Sequence, residues 1–154
     1  MPTLALKTIW KKWKSALKEN QDIIDYCQLK YGKNHTIYTG INRKNSPKEA
    51  NCPYIIIIPG SKSEGEDLAE FMYSISIGWA ISNENMTDNE LDGLGECDDL
   101  GQLILSALNS VSPNHPLSTV EYEINPIEFF PQIVGEMLLE LTITPLIGVE
   151  TIDY

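Results

Sequence analysis

The sequence predicts an α+β fold, a mainly antiparallel sheet of about five strands with helices packed on one side. Three observations predict it. Apolar residues recur at helical spacing over residues 3 to 32; they give way to unbroken or alternating apolar strands over residues 35 to 80; and one further helical stretch near residue 100 precedes two more alternating segments. The coarse order is α-α-β-β-β-α-β-β. At 154 residues, with 42% hydrophobic and 21% charged residues, the chain fits a single α+β domain spanning 1–154.

Residues 3 to 18, "TLALKTIWKKWKSALK", set Leu6, Ile9, Trp10, Trp13 and Leu17 on one helical face and Lys7, Lys11, Lys14 and Lys18 on another. A second helix begins at Asn20 or Asp22, either of which suits a cap, buries some of Ile23, Ile24, Tyr26, Cys27 and Leu29, and stops at Gly32. "HTIYTGI" (35 to 41) is β-branched and aromatic and reads as a strand, followed by a polar loop to Cys52. "PYIIIIP" (53 to 59) reads as a central strand, apolar on both faces and bounded by prolines.

"FMYSISIGWA" (71 to 80) alternates Phe71, Tyr73, Ile75, Ile77 and Trp79 against Met72, Ser74, Ser76, Gly78 and Ala80, a strand with one packed face. Residues 82 to 99 read as a long acidic loop, and 98 to 111 as a helix led by aspartates that suit its positive N-terminal end. The strands "LSTVEYEIN" (117 to 125) and "GEMLLELTIT" (135 to 144) each alternate an apolar face with a largely polar, glutamate-bearing one. Such strands belong to an antiparallel sheet covered on a single side.

Charge divides along the chain. Residues 1 to 48 hold ten Lys/Arg against Glu19, Asp22 and Asp25, a net of +7, whereas residues 49 to 154 hold only Lys62 against nineteen Asp/Glu, a net of −18. A basic face on one copy can meet an acidic face on the next, a head-to-tail contact that closes into a ring where the rotation permits. The total of −11 opposes direct nucleic-acid binding, which needs a basic surface. An acidic wall does suit a channel through which DNA slides without sticking.

No stretch approaches the ~20 apolar residues of a membrane span, and lysines break the first segment, so a soluble protein made in the cytoplasm is expected. Two tryptophans beside a lysine stripe also fit a helix lying on a membrane surface, but the acidic remainder would be repelled by anionic lipid. Cys27, Cys52 and Cys97 form no CxxC pair and read as buried thiols.

The candidate chemistry is thin. "YIIIIPGSKS" resembles a phosphate-binding loop only in outline: GxxxxGK[ST] must open a helix, whereas Gly60 and Lys62 are two apart and a strand follows, so "PGSKSEGEDLAE" reads as a hairpin loop. "DNELDGLGECDD" places Asp88, Glu90, Asp92 and Gly93 as a calcium loop would, but ends in Asp99 where a glutamate is expected, which makes these residues a weak metal candidate. His35 and His115 read as loop residues with no nucleophile beside them. Neither an enzyme nor a cofactor is expected.

The order of elements resembles the tail terminator (tail completion) proteins of long-tailed bacteriophages and the related neck and tail-joining proteins. The features are the helical stretch ending "DIIDYCQLKYG", the strand "CPYIIIIPG", the alternating "FMYSISIGWA", the helix around "LGQLILSAL" and a closing strand within "NPIEFFPQIVGEMLLELTITP". The resemblance implies an α+β subunit that assembles into a ring of about six copies, caps the tail tube, faces the head or connector, and meets DNA only as passing cargo, in a free phage or a prophage. Its location would be the virion tail, and the host cytoplasm during assembly. Lys11, Lys12 and Lys14 of one copy are expected to meet Asp88, Glu90 and Asp92 of a neighbour. The alternative is a small bacterial binding or regulatory protein that uses the acidic loop 82–99 for a metal ion or a basic partner.

Overall fold

The computed structural model describes residues 5–63, 71–111 and 117–143. Helix α1 (Leu6–Glu19) turns Ile9, Trp13 and Leu17 inward, with Leu6 and Trp10 beside them. Helix α2 (Gln21–Tyr31) starts at Asn20, whose side-chain oxygen accepts from the Ile23 amide at 3.0 Å and so satisfies one of the free N–H groups of the first turn. It stops at Gly32, which adopts the left-handed conformation at φ 69° and donates back to the Gln28 carbonyl. Ile23 and Cys27 are buried, whereas Leu29, one of the expected core candidates, is 81% exposed. At 100° per residue Leu29 lies on the far side of the helix from Cys27.

The five-stranded sheet runs β1 (Thr36–Thr39), β2 (Tyr54–Ser63), β3 (Phe71–Ser82), β7 (Gln132–Ile143), β6 (Leu117–Asn125). The pairs β2–β3, β3–β7 and β6–β7 are antiparallel; β1 lies parallel to β2. The sheet is therefore mixed, with the single parallel pair at one edge. Residues 40–53 make the return from β1 to β2 with one turn of 3-10 helix, Glu49–Asn51.

Strand β2 continues past Pro59 to Ser63, beyond the expected end. Proline removes a ladder donor, but β1 has already ended opposite Ile57, so on that side Pro59 has no strand to pair with. A bulge follows between Pro59 and Ser61, and a Cβ on Gly60 would come within 2.8 Å of the Ser74 carbonyl oxygen. The "PGSKS" segment is thus strand, its glycine serves close approach of two backbones, and Lys62 stands 5.8 Å from the Tyr73 ring centroid. Residues 64–70 of the expected hairpin loop lie outside the described residues.

The acidic loop expected over 82–99 is corrected by the structure. Residues Met86–Thr87 (β4) and Glu90–Leu91 (β5) form a small hairpin whose corner residues Asp88 and Asn89 have φ of 52° and 66°, and helix α3 runs Asp92–Val111. Gly93 and Gly95 depress helix propensity and hide this start from the sequence. Tertiary packing overrides them, since Gly93, Cys97, Leu100 and Gly101 are buried against the sheet. Asp98 and Asp99 consequently sit in the second turn of α3, and Asp92 leads it.

The three α-helices among the described residues cover one face of the sheet. Ile55, Ile57, Tyr73, Ile75, Ile77, Trp79, Ile81, Met137, Leu139 and Leu141 point into the core with the apolar stripes of α1, α2 and α3. Helix α1 lies over β1 and β2, and α3 over β3, β7 and β6. Between α3 and the sheet the Trp79 indole fills the space left by two glycines: a Cβ on Gly101 or Gly135 would strike its ring. The indole N–H donates to the Cys97 carbonyl at 2.8 Å. Among the described residues no α-helix lies on the other face of the sheet.

Candidate subunit interface

The charge division of the sequence survives folding as a division across the sheet. Residues 1–48 supply α1, α2 and the edge strand β1, with the turn that leaves β1; residues 49–154 supply β2, β3, β7, α3 and the opposite edge strand β6. Lys7, Lys11, Lys12, Lys14 and Lys18 are all exposed on the outside of α1, with no ion pair to the described residues. Past β1, the Asn42 carbonyl accepts from the Asn45 amide at 2.9 Å and its side chain from the Lys44 amide at 3.1 Å. That turn holds Arg43 and Lys44 at its corners.

On the acidic side, strand pairing fixes where the glutamates lie. Glu121 and Glu123 of β6 and Glu136 and Glu140 of β7 share the face without helices, and Glu123 stands directly opposite Glu136. Like charges in such a cross-strand pair repel. The same face turns apolar toward β1, where Cys52, Tyr54, Ile56 and Ala80 cluster with Tyr38 and Val134.

The sequence-predicted acidic residues do not converge. Asp88 occupies the hairpin corner, Glu90 begins β5, and Asp92 opens α3 while accepting from the Thr87 hydroxyl at 3.0 Å. Asp99 lies two turns along α3 and accepts from the Tyr26 hydroxyl at 3.2 Å. Among the described residues no three His, Cys, Asp or Glu side chains come together as a metal centre. Glu96, which sequence reasoning passed over, ties the start of α3 in place: one carboxylate oxygen accepts from the Tyr31 hydroxyl at 2.9 Å and the other from the Asn83 amide at 2.8 Å. Burial, the nearby carboxylate and this hydrogen bond push the Tyr31 hydroxyl pKa far up, so it remains a donor at any ordinary pH.

The nucleophile candidates are equally committed to structure. Burial pushes the Cys27 thiol up to about 11 and those of Cys52 and Cys97 up to about 12, far from thiolate reactivity at neutral pH. The His35 ring bonds through Nε2 to the Leu17 carbonyl at 2.8 Å, which fixes the proton on that nitrogen, and leaves Nδ1 buried with no partner. His115 lies outside the described residues. The surface depressions among the described residues include an open one of about 390 Å³ along the outside of α3 at Gln102, Leu105 and Asn109, and another of about 430 Å³ beside Lys33, Glu49 and Cys52.

Sequence reasoning also missed the turn between β6 and β7. Ile127 is 82% exposed, and Phe129 and Phe130 are each 51% exposed. The turn is built to hold them there. The Asn125 side-chain oxygen accepts from the Ile127 and Glu128 amides at 3.1 and 3.2 Å, its nitrogen donates to Glu128 at 3.0 Å, and the Phe129 carbonyl accepts from the Gln132 amide at 3.0 Å. The signal was legible as "NPIEFFP", an apolar run between prolines too short to form a strand of its own.

No helix among the described residues is long and apolar enough to cross a membrane. In comparison with known proteins, the chain matches no protein-family model and no curated protein sequence.

Proposed function

We propose that this chain is a non-enzymatic assembly subunit that joins copies of itself head to tail into a ring, in the manner of the tail terminator proteins of long-tailed bacteriophages that its element order resembles. One observation carries the reading: the two edges of the sheet are unlike, one flanked by α1, Arg43 and Lys44, the other bearing Glu121 and Glu123. A surface with complementary ends favours heterologous contact, which closes into a ring when the rotation permits. Lys11, Lys12 and Lys14 meet the acidic hairpin and α3 start of the neighbour, around Asp88, Glu90 and Asp92. The ring sits at the end of the tail tube, engages the tube on one side and the head or connector on the other, and lets DNA pass as cargo; the carboxylates of the face without helices suit the wall of such a passage.

The alternative, a small bacterial binding or regulatory protein that uses the acidic segment 82–99 for a metal ion or a basic partner, has to present that segment as the β4–β5 hairpin and the first two turns of α3. Residues 92–99 are helix, and Glu96 and Asp99 are held by tyrosines of α2.

Light scattering coupled to gel filtration tests the proposal. A closed oligomer is expected at low salt, loosened as ionic strength shortens the reach of exposed charges to a Debye length of about 3 Å at 1 M. Lys11→Glu, Lys12→Glu and Lys14→Glu together should abolish it while leaving the circular dichroism spectrum unchanged. Assembly of this variant equal to that of the parent removes the lysines from the contact.

A further inference from the structure

Resting on that reading, we infer that adjacent copies are joined by an antiparallel strand pair, β6 of one copy against β1 of the next, with the Asn125–Pro131 turn docked beside α2 of that next copy. Among the described residues both strands are sheet edges with no further strand paired to them, and an open edge of this kind can add a strand.

The strand directions permit the joint. β1 is parallel to β2, β2 and β7 both run antiparallel to β3, and β6 runs antiparallel to β7. β6 is therefore antiparallel to β1, so a second copy placed alongside with its sheet in the same orientation presents β1 to β6 in the antiparallel sense. The register is also consistent. Thr36, Tyr54, Ala80, Val134 and Asn125 form one row across the sheet, and Thr39, Ile57, Ile77, Met137 and Tyr122 another. Continuing those rows puts Asn125 beside the next copy's Thr36 and Tyr122 beside its Thr39, so that residues of the helix-covered face stay on that face.

Two pairs of surface features then meet. Beyond Tyr122 the row reaches Glu121, level with the residue after Thr39, close to the turn that presents Arg43 and Lys44 of the next copy. Beyond Asn125 the apolar turn with Ile127, Phe129, Phe130 and Glu128 extends toward the segment that precedes the next copy's β1. That segment carries Leu29, the most exposed apolar residue of the helices, between Gln28 and Lys30, with Lys33 close by. Symmetric joints are disfavoured by charge: β6 against β6 would face Glu121 and Glu123 with themselves, and β1 against β1 would crowd two Arg43–Lys44 turns.

The test uses the full chain and a charge swap. Glu121→Lys with Glu123→Lys should lower assembly at least tenfold in midpoint concentration, and adding Arg43→Glu with Lys44→Glu should restore it, a rescue that mere misfolding would not give. Hydrogen exchange on the parent should slow at Thr36–Thr39 and Leu117–Asn125 when the salt-dissociated chain assembles. An oligomer that forms with both edges exchanging as in the monomer, and with no rescue by the swap, overturns the strand joint and leaves the ring. A chain that stays monomeric at low salt and at the highest attainable concentration overturns ring and joint together.

Discussion

Strands β3 and β7 run side by side through the middle of the sheet, and their two faces contrast sharply. Toward the helices they carry Tyr73, Ile75, Ile77, Trp79 and Ile81 opposite Leu141, Leu139, Met137, Gly135 and Ile133. Toward the other side the same strands carry Ser74, Ser76, Gly78 and Ala80 opposite Glu140, Leu138, Glu136 and Val134. The backbone is common to both, so the difference lies wholly in side chains. The covered face is filled to the point that two glycines are required, and it sets stability. Around Ser74, Ser76, Gly78, Glu136 and Glu140 the uncovered face uses small and acidic residues where a core would use large apolar ones, so a change at those positions should alter surface behaviour far more than folding.

The largest way to break that contrast is Trp79→Ala. The indole is fully buried between α3 and β7, and its removal leaves a cavity in a layer that cannot collapse across two glycines. We expect a loss of about 3–5 kcal/mol, read as a fall of about 10 °C or more in melting temperature. Gly135→Ala attacks the same contact from the other side, adding a methyl where the ring already lies, and should cost about 1–3 kcal/mol. A melt within a degree of the parent for either variant would show that the covered face is looser than its geometry states. Gly78→Ala, on the uncovered face of the same strand, meets only the Gly135 carbonyl at 3.8 Å and should leave the melt nearly unchanged.

The contrast also accounts for what was legible in the sequence. Alternation in "FMYSISIGWA" and in "GEMLLELTIT" gave the strands and their buried faces because a period of two depends on nothing but the strand itself. The four-residue spacing of Ile9, Trp13 and Leu17, one face of a helix, gave α1 for the same reason. The start of α3 was not legible. Its first turns contain Gly93 and Gly95, poor helix formers, and they hold as helix through contacts made at a distance: Gly93 against Ile81 and Ile133, Glu96 with Tyr31 and Asn83, Asp99 with Tyr26. The parallel edge pair was hidden likewise, since direction is decided by the path of residues 40–53 and leaves no mark in the composition of "HTIYTGI". At the candidate interface the charge division was plain from counting, whereas its arrangement along opposite sheet edges required the strand order.

Two predictions probe those distant contacts. Tyr31→Phe removes one of the two donors to Glu96 in a partly buried setting and should cost about 1–3 kcal/mol, measured by urea unfolding, with α2 the segment whose amide exchange quickens most. The second concerns His35, which joins the end of α1 to the start of β1. Burial lowers its pKa below 6.5, outweighing the hydrogen bond to Leu17. The folded chain thus holds fewer protons than the unfolded chain as pH falls below about 6.5. Its contribution to stability is complete above that value and is lost as pH falls toward the folded pKa. The unfolding midpoint of the parent should therefore drop more between pH 7.5 and 5.5 than that of His35→Gln. Equal drops would place the acid sensitivity elsewhere.

A small gain in stability sharpens the contrast most, because it runs opposite to the rest. Glu123 and Glu136 face each other on the uncovered side, a like-charge pair that lowers the stability of the subunit. Glu136→Lys turns repulsion into attraction and should stabilise the monomer by about 0.2–1 kcal/mol, more at low salt than at high. The same change adds a positive charge to the acidic side of the sheet and should weaken assembly. A variant that melts higher and assembles less well would separate the two roles within a single residue, the uncovered face giving up folding stability for the sake of association. Higher stability with undiminished assembly would place the Glu123–Glu136 pair outside the contact and leave the repulsion without a use.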